Sequence, residues 1–282
     1  ACHKIAQSVA ASILDRRLLF YVFRMLSNGN IQLMLDYYRA LLASPNLDRT
    51  QLAGLAAGER LSEHRVIEDL MLYVYEKLNP ANSFVMNLYN LGDPSVGVAG
   101  NALLRIRILQ TIATRATYRD GTLGLRRSDL RGDLEAIGYR ECAEKNLSRE
   151  LKQMADYGLI QVMQFPEDPQ TDDPIIVLQD AGHLYKDFLI YRYSYLQTVI
   201  PDCWLDYRAS EPALDGDLHA IDDEIRNFIR FIGRCEKSEK RDLSEEGQKL
   251  LKTIAGPWSL AGALRSQFEI ERSRQMGKTE TK

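Results

Sequence analysis

The amino-acid order predicts a mainly α-helical fold that carries one short β-hairpin. Three observations lead there. Apolar residues recur at three- and four-residue spacing along most of the 282 positions, the mark of helices with one buried face. Two short runs, LIQVMQF and IIVL, read as a strand and its returning partner across the turn segment PEDPQTDDP. The composition, 45% hydrophobic and 27% charged, is that of a globular chain long enough to bury a core.

The first helix is expected from Ile5 to Leu26, with Ile13, Leu14, Leu18, Tyr21, Val22 and Met25 inward. It stops at SNGN, where Asn28-Gly29 supplies a positive φ and Asn30 can cap the next helix. IQLMLDYYRALLAS is that next helix, ended by Ser44-Pro45. HRVIEDLMLYVYEKL follows a capping box at Ser62 that lacks Glu or Gln at its fourth position. NPANSFVMNLYNLGDP then forms a loop holding a short apolar segment.

From Asn101 the order changes. ALLRIRILQTIATRA is a helix with Leu103, Leu104, Ile108 and Ile112 inward, and RRSDLRGDLEAIG a second, started by Ser128 and ended at Gly138. In KNLSRELKQMADYG, Leu147, Leu151 and Met154 make the apolar stripe of a third helix. Helix, helix, helix, strand, wing, strand is the order of a winged helix, a helix-turn-helix variant. DAGHLYKDFLIYRYSYLQTVI starts a long helix on its tail, and RASEPALDGD is a polar linker. DLHAIDDEIRNFIRFIGRC and two shorter helices, around LSEEGQKLLKTI and SLAGALRSQFEIERS, finish the chain. The expected division is a helical domain over 1–92, the winged helix over 93–208 and a helical extension over 209–282.

The chemistry the chain can carry is narrow. Its four cysteines stand far apart, with no metal spacing and no disulfide framework, which fits reduced thiols in the cytoplasm. No apolar run approaches the roughly 20 residues of a membrane span. The opening ACHKIAQSVAASILDRR lacks a signal peptide's apolar core and begins inside a helix pattern, so a piece of a longer protein is expected. Gly277-Lys278-Thr279 copies the end of a phosphate loop, but Arg272 stands where the earlier glycine belongs, and a solvated tail is the expectation. The four histidines share no spacing with a carboxylate, cysteine or serine that suggests a metal or a triad, and His183 reads as a surface imidazole. The acidic pairs Asp222-Asp223 and Glu245-Glu246 read as polar helix faces. No catalytic residue, cofactor or metal is assigned.

A basic patch remains. The chain carries −3 overall, yet between Asn101 and Phe165 eleven Lys/Arg stand against eight Asp/Glu, a local balance of +3. Arg105 and Arg107 are counted in it. Lys145, Arg149, Lys152 and Gln153 fall on the third helix's outer face, and Arg126, Arg127 and Arg131 start the second helix, where phosphate contacts are common. These seven are the candidate duplex-DNA contacts. A charged outer face is also ordinary for a solvated helix. The wing from Gln164 to Asp173 carries Glu167, Asp168, Asp172 and Asp173 without a base, so it would be repelled by phosphates. DNA contact and protein contact stand level on the residues alone.

SNGNIQLMLDYYRALL resembles the lid of AAA+ and STAND-type P-loop ATPases of the origin-recognition kind, where a helix, a glycine turn and a second helix close over the nucleotide. FVMNLYNLGD, a winged helix, VLQDAGHLYKDFL and YSYLQTVIPDCWLDY are together similar to the C-terminal halves of large bacterial ATPases of this group. The resemblance covers roughly Leu18 to Tyr207 on loose motifs. It implies a lid-like helical bundle and a winged helix that bind duplex DNA or assemble the ATPase core and its neighbouring subunits. ATP and Mg would belong to a longer parent protein. Such lids often place an arginine three residues after the turn glycine; Gln32 stands there, so the resemblance does not extend to nucleotide sensing.

Overall fold

A computed structural model gives the fold and describes residues 2–45, 47, 49–72, 83–89, 102–119, 121–140, 146–164, 173–203, 218–241, 243–256 and 259–279. The chain divides into two compact units, Ala1–Asn87 and Leu88–Lys282. The expected junctions at 92/93 and 208/209 lie outside the described residues.

The first unit is helical: α1 (Cys2–Leu14), α2 (Arg17–Leu26), α3 (Ile31–Ala43), α4 (Arg49–Ala57) and α5 (Glu63–Leu72). The helix expected from Ile5 to Leu26 is two helices. Arg16 leaves helical geometry at φ −105°, ψ 103°, and its guanidinium donates to the Leu61 carbonyl at 2.9 Å. Ser12 Oγ accepts the Leu61 N–H at 2.9 Å, so the α4–α5 connection is docked at this break. The break resets the helical phase. Leu19, Val22, Phe23 and Leu26 become the buried side of α2, and the expected core residues Leu14, Leu18 and Tyr21 are exposed. The turn after α2 follows expectation: Asn28 and Gly29 have φ of 51° and 74°, and Asn30 accepts from the Gln32 and Leu33 N–H groups. Ser62 Oγ caps α5 through the Arg65 N–H. Helix α4 has no counterpart in the sequence reading, and the HRVIEDLMLYVYEKL helix beyond Leu72 lies outside the described residues.

The second unit holds α6 (Leu104–Arg115), β1 (Thr117–Arg119), β2 (Thr122–Arg126), α7 (Arg127–Ala136), α8 (Leu147–Asp156), β3 (Ile160–Met163) and β4 (Ile175–Leu178). The antiparallel sheet has the order β1-β2-β4-β3, with Leu125 opposite Ile176 and Ile160 opposite Leu178. This is the winged helix, with β2 pairing beside the wing strands. The β1–β2 hairpin, turning at Gly121 (φ 76°), was not read from the sequence. At Gly124 on β2, β4 comes so near that a Cβ would run into the Ile175 side chain.

After the wing come α9 (Asp180–Asp187), α10 (Tyr193–Val199), α11 (Leu218–Arg241), α12 (Glu245–Ala255) and α13 (Leu260–Thr279). The long helix expected from Asp180 is broken by a 3-10 turn at Leu189–Tyr191. Glu271 of α13 occupies the break: one oxygen accepts the Tyr193 N–H at 2.9 Å and the other pairs with Arg192 at 2.7 Å. That carboxylate gives a donor at the start of α10 the partner it would lack in an uncapped helix. Helix α12 packs on α6 and α7, and α13 lies along α11.

Candidate nucleic-acid interface

Helix α8 is the third helix of the winged helix. Leu147, Leu151 and Met154 are buried together, as their spacing requires. The opposite side exposes Ser148, Arg149, Lys152 and Asp156. Lys152 has no ion pair among the described residues, while Arg149 is 43% exposed and shares its guanidinium with Glu150 at 2.9 Å. Lys145 lies outside the described residues.

Gln153 departs from the outward placement expected for it. It is half-buried, and its Oε1 accepts from Arg105 Nη2 at 2.6 Å. Arg105 also pairs with the buried Glu150 at 2.6 Å. Arg107 is 2% exposed and pairs with Glu239 and, more distantly, Glu236. Burial pulls its guanidinium pKa down, but the hydrogen bond and charge of Glu239 outweigh that and leave it raised. Two of the eleven cations of the patch are therefore internal and meet no phosphate. Buried arginines of this kind look like surface charge in sequence because their partners are distant.

At the start of α7, Arg127 Nη2 donates to Ser148 Oγ at 2.6 Å and ties the two helix starts of the helix-turn-helix. Arg126 ends β2 rather than starting the helix, and its Nε is buried with no hydrogen-bond partner among the described residues. Arg131 is exposed and paired with Glu135 at 2.7 Å. Ser128, expected to start the helix, is its second residue, after Arg127. Its N–H and hydroxyl both donate to the Asp173 carboxylate, at 2.9 and 2.6 Å. One carboxylate of the acidic wing segment thus caps α7, placing the protein's own anion at a helix N-terminus, where negative charge is favoured. Glu167, Asp168 and Asp172 lie outside the described residues.

Other candidates resolve simply. The backbone of Gly277-Lys278-Thr279 is the last turn of α13, helical where a phosphate loop would be a turn between strand and helix. His183 is exposed. Asp222 accepts from Tyr193 and pairs with Arg272. Among the described residues no group of His, Cys, Asp and Glu is arranged to hold a metal, and no helix is long and apolar enough to cross a membrane. Against protein-family models, curated proteins and solved structures, the chain gives no match in any of the three comparisons.

Proposed function

We propose that the unit Leu88–Lys282 binds duplex DNA through its winged helix, as a non-catalytic regulatory region of a cytoplasmic P-loop ATPase. The observation that supports DNA contact is the cationic outer edge of the helix-turn-helix. Lys152 and Arg149 stand one turn apart on α8, and Arg127 joins them across the helix starts. Lysines there would hold phosphates, and Arg149 has the planar fork that pairs with a guanine edge. The ATPase setting rests on the lid-like turn at Asn28-Gly29 and the element order alone. ATP and Mg would be bound by the ATPase core.

A second reading, a scaffold that assembles the ATPase or its effector, is favoured by a different observation. In the first unit, α2 exposes Leu18 and Tyr21, and α3 exposes Ile31, Leu35 and Leu42 along one stripe. Apolar faces of that kind mark protein contacts.

Titration of a short duplex into the whole chain across several salt concentrations separates the two. Under the DNA reading, changing Arg149 and Lys152 together to alanine weakens binding and flattens the log K against log salt slope by up to about two units. Thermal stability stays near that of the parent chain. Absence of duplex binding at low salt rejects the DNA reading and leaves the scaffold.

A further inference from the structure

Outside the winged helix, α11 and α13 enclose an open cleft of about 490 Å³. Its rim carries Arg230, Arg234, Lys237 and Lys240 from α11 and Arg265 from α13, all exposed. On α11 these fall at i, i+4, i+7 and i+10, one stripe about 15 Å long at 1.5 Å per residue. None of the five has an ion pair with a carboxylate among the described residues.

Among the described residues Glu236 is the one acid lining the cleft; it is buried, and its charge is engaged. It accepts the Leu260 N–H at 2.7 Å and the Ala261 N–H at 3.1 Å, and lies 3.8 Å from Arg107. Ser259 Oγ takes the Gly262 N–H, so the start of α13 is capped by the protein itself. A second cavity of about 280 Å³ shares Glu236, Lys240 and Ser259 and adds Lys252. The positive field is thus built by side chains from two helices around a cavity, and no carboxylate among the described residues pairs with the cations on its rim.

We propose that this cleft binds a ligand carrying consecutive phosphates. Like charges crowded along about 15 Å of one helix repel one another unless an anion of matching charge density lies among them. A chain of phosphates supplies it, because each unit brings a full charge in little space. Three of the five cations are arginines, whose planar forks suit phosphate oxygens. A concave space of this size also suits a compact ligand. The chemistry is shared by a free polyphosphate and a nucleic-acid backbone. The inference stands apart from the winged-helix reading, since it uses none of the same residues.

The test uses the full chain and isothermal titration at low salt. The probes are tripolyphosphate and, in an Arg149→Ala/Lys152→Ala background, a short duplex or single-stranded oligonucleotide. The comparison variant is Arg234→Gln/Lys237→Gln, two exposed positions, with its fold checked by circular dichroism. Binding of tripolyphosphate that weakens at least ten-fold in this variant supports the cleft with a free polyphosphate as occupant. Binding of the oligonucleotide alone, weakened to the same extent, supports it with a nucleic-acid backbone. If no phosphate probe binds, or if the variant binds as the parent does, the proposal is overturned.

Discussion

Arg107 and Glu239 meet in a two-pronged buried ion pair, Nε to Oε1 at 3.2 Å and Nη2 to Oε2 at 2.7 Å, although 132 positions separate them. Tyr139 donates to the same carboxylate, and Gln110 accepts from the remaining guanidinium nitrogen at 2.7 Å. The contact joins the first helix of the winged helix to α11. It makes the C-terminal helices part of one folded unit and not an appendage.

Removing one partner strands the other charge in the interior. Glu239→Ala is therefore expected to destabilise the second unit by about 3–5 kcal/mol. Replacing both, as Arg107→Met with Glu239→Leu, should cost clearly less than the two single changes added together. Urea unfolding of the four chains gives the cycle. Strict additivity would mean that the pair contributes no coupling.

Cys235 lies on α11, one turn before Glu239. Burial, helped by the charge of Glu239, pushes its thiol up to about 11 from 9.0. The expected alkylation rate at pH 8 is about 100-fold below that of an unperturbed thiol, since the thiolate is the nucleophile. The same shift has a stability consequence. Above pH 9 the unfolded chain releases this proton while the folded chain still holds it, so the contribution of Cys235 to stability falls as the pH rises from about 9 to about 11. Alkylation rates of the native protein, resolved by site with mass spectrometry, check the first point. Rapid labelling of Cys235 at pH 8 would contradict the burial.

Leu151 sits between Leu147 and Met154 on the inner face of α8 and is 4% exposed. Truncation to alanine should cost roughly 2–5 kcal/mol by lost burial and the cavity left behind. A loss below about 1 kcal/mol in denaturant unfolding would mean that the site collapses around the smaller side chain or that this face is not the core.

This face was legible in the sequence because everything that sets it is local: three apolar residues one turn apart. The Asn30 cap and the Asn28-Gly29 turn were legible for the same reason. What failed depended on distant partners. Arg105 and Arg107 look like surface cations until Glu150 and Glu239 are placed beside them, 45 and 132 positions away. The break at Asp15-Arg16 contains no glycine or proline, and it follows from docking of the Leu61 segment. The β1–β2 hairpin carries its Asp120-Gly121 turn signal, but its strands are three and five residues long and largely polar, too short for a periodicity to register. Gln153 belongs to the outer face by spacing alone, and Arg105 draws it inward.

Asp173 links the stability of α7 to the proposed DNA contact. Its carboxylate takes both donors of Ser128 at the start of α7, so it acts as the helix cap from across the sheet. Loss of such a cap costs about 0.5–2 kcal/mol, and Asp173→Ala should lower the melting temperature accordingly. The same change removes a negative charge from beside Arg127 and opens the start of α7 to an outside anion. If the winged helix holds duplex DNA, the variant should bind it more tightly at low salt while being less stable. The two readouts move in opposite directions, which no general unfolding of the domain would produce. Melting curves and duplex titrations on the same preparation measure both. A variant as stable as the parent would show that Asp173 does not cap α7. A less stable variant with unchanged duplex affinity would show that phosphates do not approach this helix start.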